Sequence, residues 1–190
     1  MEQQGHDLPI SGTYLGIDAS LTSTGIAWLV PGLLSTKLLR PKITGVARLA
    51  WYDSHLQALL EHAPTYVAVE GYAYGKINKG HDIGELGGVL RLAMFRKGVK
   101  FTVVPPGTLK KFVTGSGKGS KSPIALNLYK RWGLDVEQED MADATGLALA
   151  VAAACGEPVP GLIQTQREAL TKVNVDAPAK PRIRTRSRRA

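Results

Sequence analysis

Tyr14-Leu-Gly-Ile-Asp-Ala-Ser-Leu-Thr-Ser-Thr-Gly-Ile-Ala-Trp-Leu-Val30 is the stretch on which the fold turns. Tyr14 to Asp18 is a short apolar run that ends in an acid, the pattern of a buried strand. Ala19 to Thr24 is small and polar and predicts a turn. Gly25 to Val30 predicts a second strand, and Pro31-Gly32 closes a hairpin onto a third strand, Leu33 to Arg40. Tyr66-Val-Ala-Val-Glu70 repeats the first pattern, a buried strand that stops at a carboxylate.

Between these strands, Thr44 to His62 places Val46, Leu49, Ala50, Leu56, Leu59 and Leu60 at the spacing of an amphipathic helix. Pro64 ends it. Gly71 to Gly80 predicts a loop, Asp82 to Arg96 a helix, and Lys100 to Val104 a strand stopped by Pro105-Pro106. Thr108 to Val113 predicts a short helix, Thr114 to Ser122 a glycine- and lysine-rich loop, and Pro123 opens a helix to about Trp132. The last predicted core element is a strongly apolar helix, Glu139 to Ala154, with acids only at its start. The expectation is an α/β fold. A mixed five-stranded sheet, three antiparallel strands first and parallel strands after them, is flanked by helices in three layers. The expected domain runs from 13 to 156, with a flexible leader at 1–12 and a linker and basic tail at 157–190.

Composition narrows the class. The 190 residues suffice for one ordinary domain. With 44% hydrophobic and 21% charged residues, a wholly disordered chain is excluded. The longest nearly apolar run, Ala144 to Cys155, is too short to span a bilayer, so no membrane association is expected. Met1 to Gly12 lacks the pattern of a secretory signal. Cys155 is the single cysteine, which excludes an intrachain disulfide and a cysteine metal cluster. The expected location is the cytoplasm of a bacterial cell. The net charge of +8 is unevenly spread: residues 1–160 carry +2 and residues 161–190 carry +6. Six of the last eleven residues are Lys or Arg and none is acidic, a composition that attracts nucleic acid.

Asp18 and Glu70 end two strands that are candidates for neighbours. The crevice beyond strand carboxyl ends is where open α/β sheets bind ligands. Asp140 and Asp143 are three apart on the last helix and share a face. Were that helix to pack on the sheet, four carboxylates would converge. Like charges raise one another's pKa unless cations relieve them. Mg²⁺ and Mn²⁺ prefer such oxygens, and a pair of them can activate water and stabilise a leaving phosphodiester oxygen. Taken one at a time, each acid could equally cap a turn or a helix or pair with a lysine.

The segments Leu15 to Ala27, Val67 to Glu70 and Asp140-Met-Ala-Asp143-Ala-Thr-Gly-Leu-Ala-Leu-Ala resemble the RuvC family of Holliday junction resolvases, within the ribonuclease H-like fold. Leu109 to Ser122 resembles that family's loop before the penultimate helix. The resemblance runs from about Tyr14 to Ala154. It implies a metal-dependent endonuclease in which Asp18, Glu70, Asp140 and Asp143 hold two Mg²⁺ or Mn²⁺ ions. It implies that Lys121 stabilises charge in the transition state and that Lys110 lies near the scissile phosphate; Lys110, Lys118, in the same loop, and Lys76 are expected to bind DNA backbone. It also implies a homodimer that cuts opposing strands of a four-way junction symmetrically. The family commonly carries a phenylalanine after the second acid, where this chain has Tyr72 and Tyr74, either of which could stack on a base. That loop and the basic tail point to a bacteriophage-type branch. The alternatives are a ribonuclease H-like nuclease for RNA–DNA hybrids or flaps, and a non-catalytic junction-binding protein. Gly115 to Ser122 fails the P-loop pattern because Gly119 follows Lys118. The Ser20 to Thr24 cluster is similar to the first phosphate loop of sugar kinases, but is expected to be a hydrogen-bonded turn. The four histidines are expected on the surface.

Overall fold

The computed structural model describes residues 1–71, 80–116 and 123–175, with backbone only for 80–83. Among these residues the strands are β1 (Glu2–Gly5), β2 (Tyr14–Asp18), β3 (Thr24–Val30), β4 (Leu33–Leu39), β5 (Tyr66–Glu70) and β6 (Phe101–Val104). The helices are α1 (Gly45–Leu60), α2 (Gly80–Arg96), α3 (Pro106–Thr114), α4 (Ile124–Trp132), α5 (Glu139–Ala154) and α6 (Gln164–Leu170). The sheet order is β1-β4-β3-β2-β5-β6. β1 to β4 pair antiparallel, while β2–β5 and β5–β6 are parallel.

Both faces of the sheet are covered, so the central strands are apolar throughout rather than alternating. Alternate residues still serve opposite layers. Leu15, Ile17, Ile26, Trp28, Val67 and Val69 pack with Tyr52, Leu56, Leu60, Leu86, Leu90 and Met94 of α1 and α2. Tyr14, Ala27, Leu29, Tyr66 and Ala68 pack with α3, α4, α5 and α6. Among the described residues, no helix is long and apolar enough to cross a membrane.

Two expectations need correction. The sheet has six strands, not five, because Glu2–Gly5 is a strand rather than a flexible leader. Its residues are polar and largely exposed, so no apolar alternation marks it. Backbone pairing to β4 holds it, from Glu2 opposite Thr36 to Gly5 opposite Leu33. The Gln4 amide adds two bonds, donating to Asp135 O at 2.6 Å and accepting from Asp135 N at 3.0 Å. Leu8 and Ile10 behind it are buried. Likewise, the segment after 156 is not only a linker. It contains α6, and Ala169 and Val173 enter the core. Glu157 ties the two segments together. Its carboxylate accepts from Ser11 N and Oγ, Gly12 N and Tyr14 Oη, all within 3.0 Å.

Of the histidines expected at the surface, His62 is exposed, His6 and His55 are half-buried, and His81 lies outside the residues described to side-chain level. The turn reading of Ser20 to Thr24 holds. Thr24 Oγ1 donates to Ser20 O at 2.8 Å, and Tyr52 Oη donates to the same carbonyl at 2.8 Å.

Candidate active site

Asp18 closes β2 and Glu70 closes β5, and these strands are parallel neighbours in a register that sets Ile17 beside Val69. The two carboxyls therefore emerge side by side at the carboxyl edge of the sheet. α5 brings the other two acids, and two glycines decide how near they come. A Cβ on Gly25 would lie 1.9 Å from Asp140 O, and one on Gly16 would lie 1.9 Å from Ala144 O. No side chain fits either gap, so the backbone of α5 rests directly on β2 and β3. Gly25 is also the cross-strand partner of Asp18. The contact that seats Asp140 is thus one residue across the sheet from the first acid.

The electrostatics follow from this grouping. Asp18 is buried, and burial, then the charge of Glu70 and a hydrogen bond with it, then Asp140 and Glu139, hold its carboxyl well above the usual range. Glu70 is raised by burial and by Asp143, against the lowering effect of the Asp18 hydrogen bond. Both carboxyls are thus raised by their burial beside other acids. Asp143 is pushed up to about 7 by burial, then by Asp18, Glu139 and Asp140, with Lys110 pulling the other way. Glu70, Asp143 and Glu139 line an open cleft of about 500 Å³, together with Lys110, Pro123 and Ile124.

Asp18, Glu70, Asp140, Asp143 and Lys110 are therefore brought together. Tyr72, Tyr74, Lys76, Lys118 and Lys121 lie outside the described residues. Glu137 and Glu139 were missed by the sequence reading. Glu137 lines the cleft, and Glu139 acts on both Asp18 and Asp143. The signal was the acidic run Glu137 to Asp140, immediately ahead of the apolar helix.

A hard divalent cation suits this donor set of carboxylate oxygens. Among the described residues, no three His, Cys, Asp or Glu side chains stand, as placed, in a group able to hold a metal ion.

A sequence model of the family described as "Crossover junction endodeoxyribonuclease RuvC" matches residues 14–154. The chain is 32% identical over 154 residues to a protein of that name from Parvibaculum lavamentivorans, covering 75% of this chain and 87% of the relative. A namesake from Sorangium cellulosum is 30% identical over 139 residues, covering 67% and 78%. Thermus thermophilus RuvC superposes with a TM-score of 0.65 at 25% identity, over 76% of this chain and 97% of that one. The same Thermus protein in complex with a Holliday junction substrate gives 0.63 at 25% identity, over 73% and 91%. The ribonuclease H-like sheet, the acids converging at its carboxyl edge and these likenesses lead to one conclusion: the chain belongs to the RuvC family of crossover junction endodeoxyribonucleases and is a junction-resolving endonuclease.

Proposed function

We propose that this chain resolves four-way DNA junctions as a homodimer, with Asp18, Glu70, Asp140 and Asp143 of each protomer holding two Mg²⁺ or Mn²⁺ ions. The observation that carries the site is the hydrogen-bonded Asp18–Glu70 pair beside Asp143, at the edge of a cleft rimmed by Lys110. The ions, when bound, supply water activation and neutralise the leaving oxygen. The carboxylates fix their position. In the reaction the oxygen of water bonds to phosphorus and the bond from phosphorus to the 3′ oxygen breaks. One end keeps a 5′-phosphate and the other takes a proton as a 3′-hydroxyl.

Lys121 offsets charge on the phosphorane-like transition state. Lys110, Lys118 and Lys76 bind backbone phosphates, and Tyr72 or Tyr74 stacks on a base exposed at the branch point. Two sites related by a dyad suit a substrate with a dyad, and they make the two cuts symmetric.

The test is cleavage of an end-labelled synthetic four-way junction in Mg²⁺ and in Mn²⁺. A linear duplex, a flap, a replication fork and an RNA–DNA hybrid run alongside. Paired symmetric nicks confined to the junction are expected. Cutting of forks and flaps as well makes the protein a broader debranching nuclease. Cleavage of the hybrid alone overturns the junction reading, and tight junction binding without any cut overturns the enzyme reading.

A further inference from the structure

The last four residues of a helix leave backbone carbonyls without partners inside the helix, and the chain that follows normally supplies them. α3 differs. Among the described residues, Lys111 O is met locally, by Gly115 N at 3.0 Å. Phe112 O accepts from Gln166 Nε2 at 2.5 Å, Thr114 O from Arg131 Nη2 at 3.2 Å, and Gly115 O from Thr165 Oγ1 at 2.8 Å. The end of α3 is capped by side chains of α6 and α4.

The residues doing this are built for it. Gln166 is fully buried, and its Oε1 accepts from Ile163 N at 3.1 Å, so the amide is fixed at both ends. Lys111 Nζ and Glu168 Oε2 pair at 2.9 Å on the outer side. Gly115 is left-handed at φ +73°, and a Cβ there would come within 2.9 Å of Ile163 Cδ1 and 3.0 Å of Arg131 Nη2. All of α6 lies beyond residue 154, where the match to the family ends. α3 also carries Lys110, the cation at the cleft that acts on Asp143. Residues 117–122, with Lys118 and Lys121, follow its capped end directly in the chain.

We propose that α6 is a brace for DNA cleavage, in which Thr165 and Gln166 are positioning residues that fix the end of α3 and so hold Lys110 at the acid cleft. The inference rests on the cleavage reading above. Leu109, Phe112 and Val113 anchor α3 in the core, and the remaining freedom lies in its C-terminal turn, which leads into residues 117–122; a displacement of about 1 Å at a reacting centre can cost about 100-fold in rate. Bonds from α6 to Phe112 O and Gly115 O, and from α4 to Thr114 O, remove that freedom.

The experiment uses the full chain and a synthetic four-way junction. Thr165→Val removes one bond with little change of volume, and Thr165→Ser restores the hydroxyl. Single-turnover cleavage in Mg²⁺ at saturating protein is measured beside junction affinity in Ca²⁺ and the thermal midpoint. Thr165→Val is expected to slow cleavage about tenfold, with affinity within about twofold, and Thr165→Ser to recover the rate. Combined with Lys110→Ala, it should add less than its single effect, because both act through one cation. Cleavage at the wild-type rate overturns the proposal. So does a loss that Thr165→Ser does not recover, or one that adds fully to Lys110→Ala. If Thr165→Val fails to fold, Glu168→Gln carries the test from the surface by freeing Lys111: slower cleavage supports the brace and an unchanged rate overturns it. A wild-type chain that binds the junction without cutting it overturns the cleavage reading instead.

Discussion

Asp18 is where the cost of the site is concentrated. A buried carboxyl against a second one is destabilised when ionised, so its folded-state pKa lies above its unfolded value. Asp143 behaves alike, at about 7 against 3.8 unfolded. Between these values the folded state binds more protons than the unfolded one, so stability falls as pH rises through that window. Without divalent ions, the thermal midpoint should therefore drop from about pH 5 to pH 8, and added Mg²⁺ should remove most of the drop; a flat profile would contradict the buried pair. Asp18→Asn should raise the metal-free midpoint at pH 8 and lower cleavage by a factor of at least about 100–1,000, with junction binding kept. Retained cutting would show that Asp18 is not in the site. Glu157 has the opposite sign. Burial raises it, but hydrogen bonds from Tyr14, Ser11 and Gly12 outweigh that and lower it. Its contribution is present above the unfolded value of 4.5 and is lost as pH falls through the folded value. Glu157→Gln should cost about 1 kcal/mol at pH 7 by denaturant titration and little at pH 3.

At the scale of elements, the contact of α5 with β2 and β3 decides whether four acids share one place. Gly25→Ala must push Asp140 off the sheet, since the new methyl would meet a carbonyl rather than a flexible side chain. The expected result is a loss of about 3 kcal/mol or more in stability, together with a cleavage defect that high Mg²⁺ does not rescue. Wild-type stability would mean that α5 has room to move. The strand acids were legible in sequence because each ends an apolar run, and the helix pair because it opens one. The nearness of Asp140 to Asp18 was not, because it depends on two glycines whose role is to leave space.

For the whole molecule, the basic tail and the folded end are different things. Val173 is buried, and Tyr66 Oη donates to Val175 O at 2.9 Å, so the packed chain extends at least that far. Deleting residues 176–190 should leave folding intact, weaken junction binding and flatten its salt dependence by up to about 5 in log–log slope if all six basic residues meet phosphates. An unchanged slope would place the tail off the DNA. Deleting 161–190 should unfold the protein, since it removes Gln166, Ala169 and Val173 from the interior. By itself, the sequence determined the central elements and which acids are candidates for the chemistry, because buried strands and helices write their period and their breaks into local residue order. Tertiary structure alone decided that Glu2–Gly5 is a strand, that α6 caps α3 and that Glu139 joins the acid cleft. Each of those depends on partners far away in the chain, and polar residues held by remote hydrogen bonds leave no periodic trace.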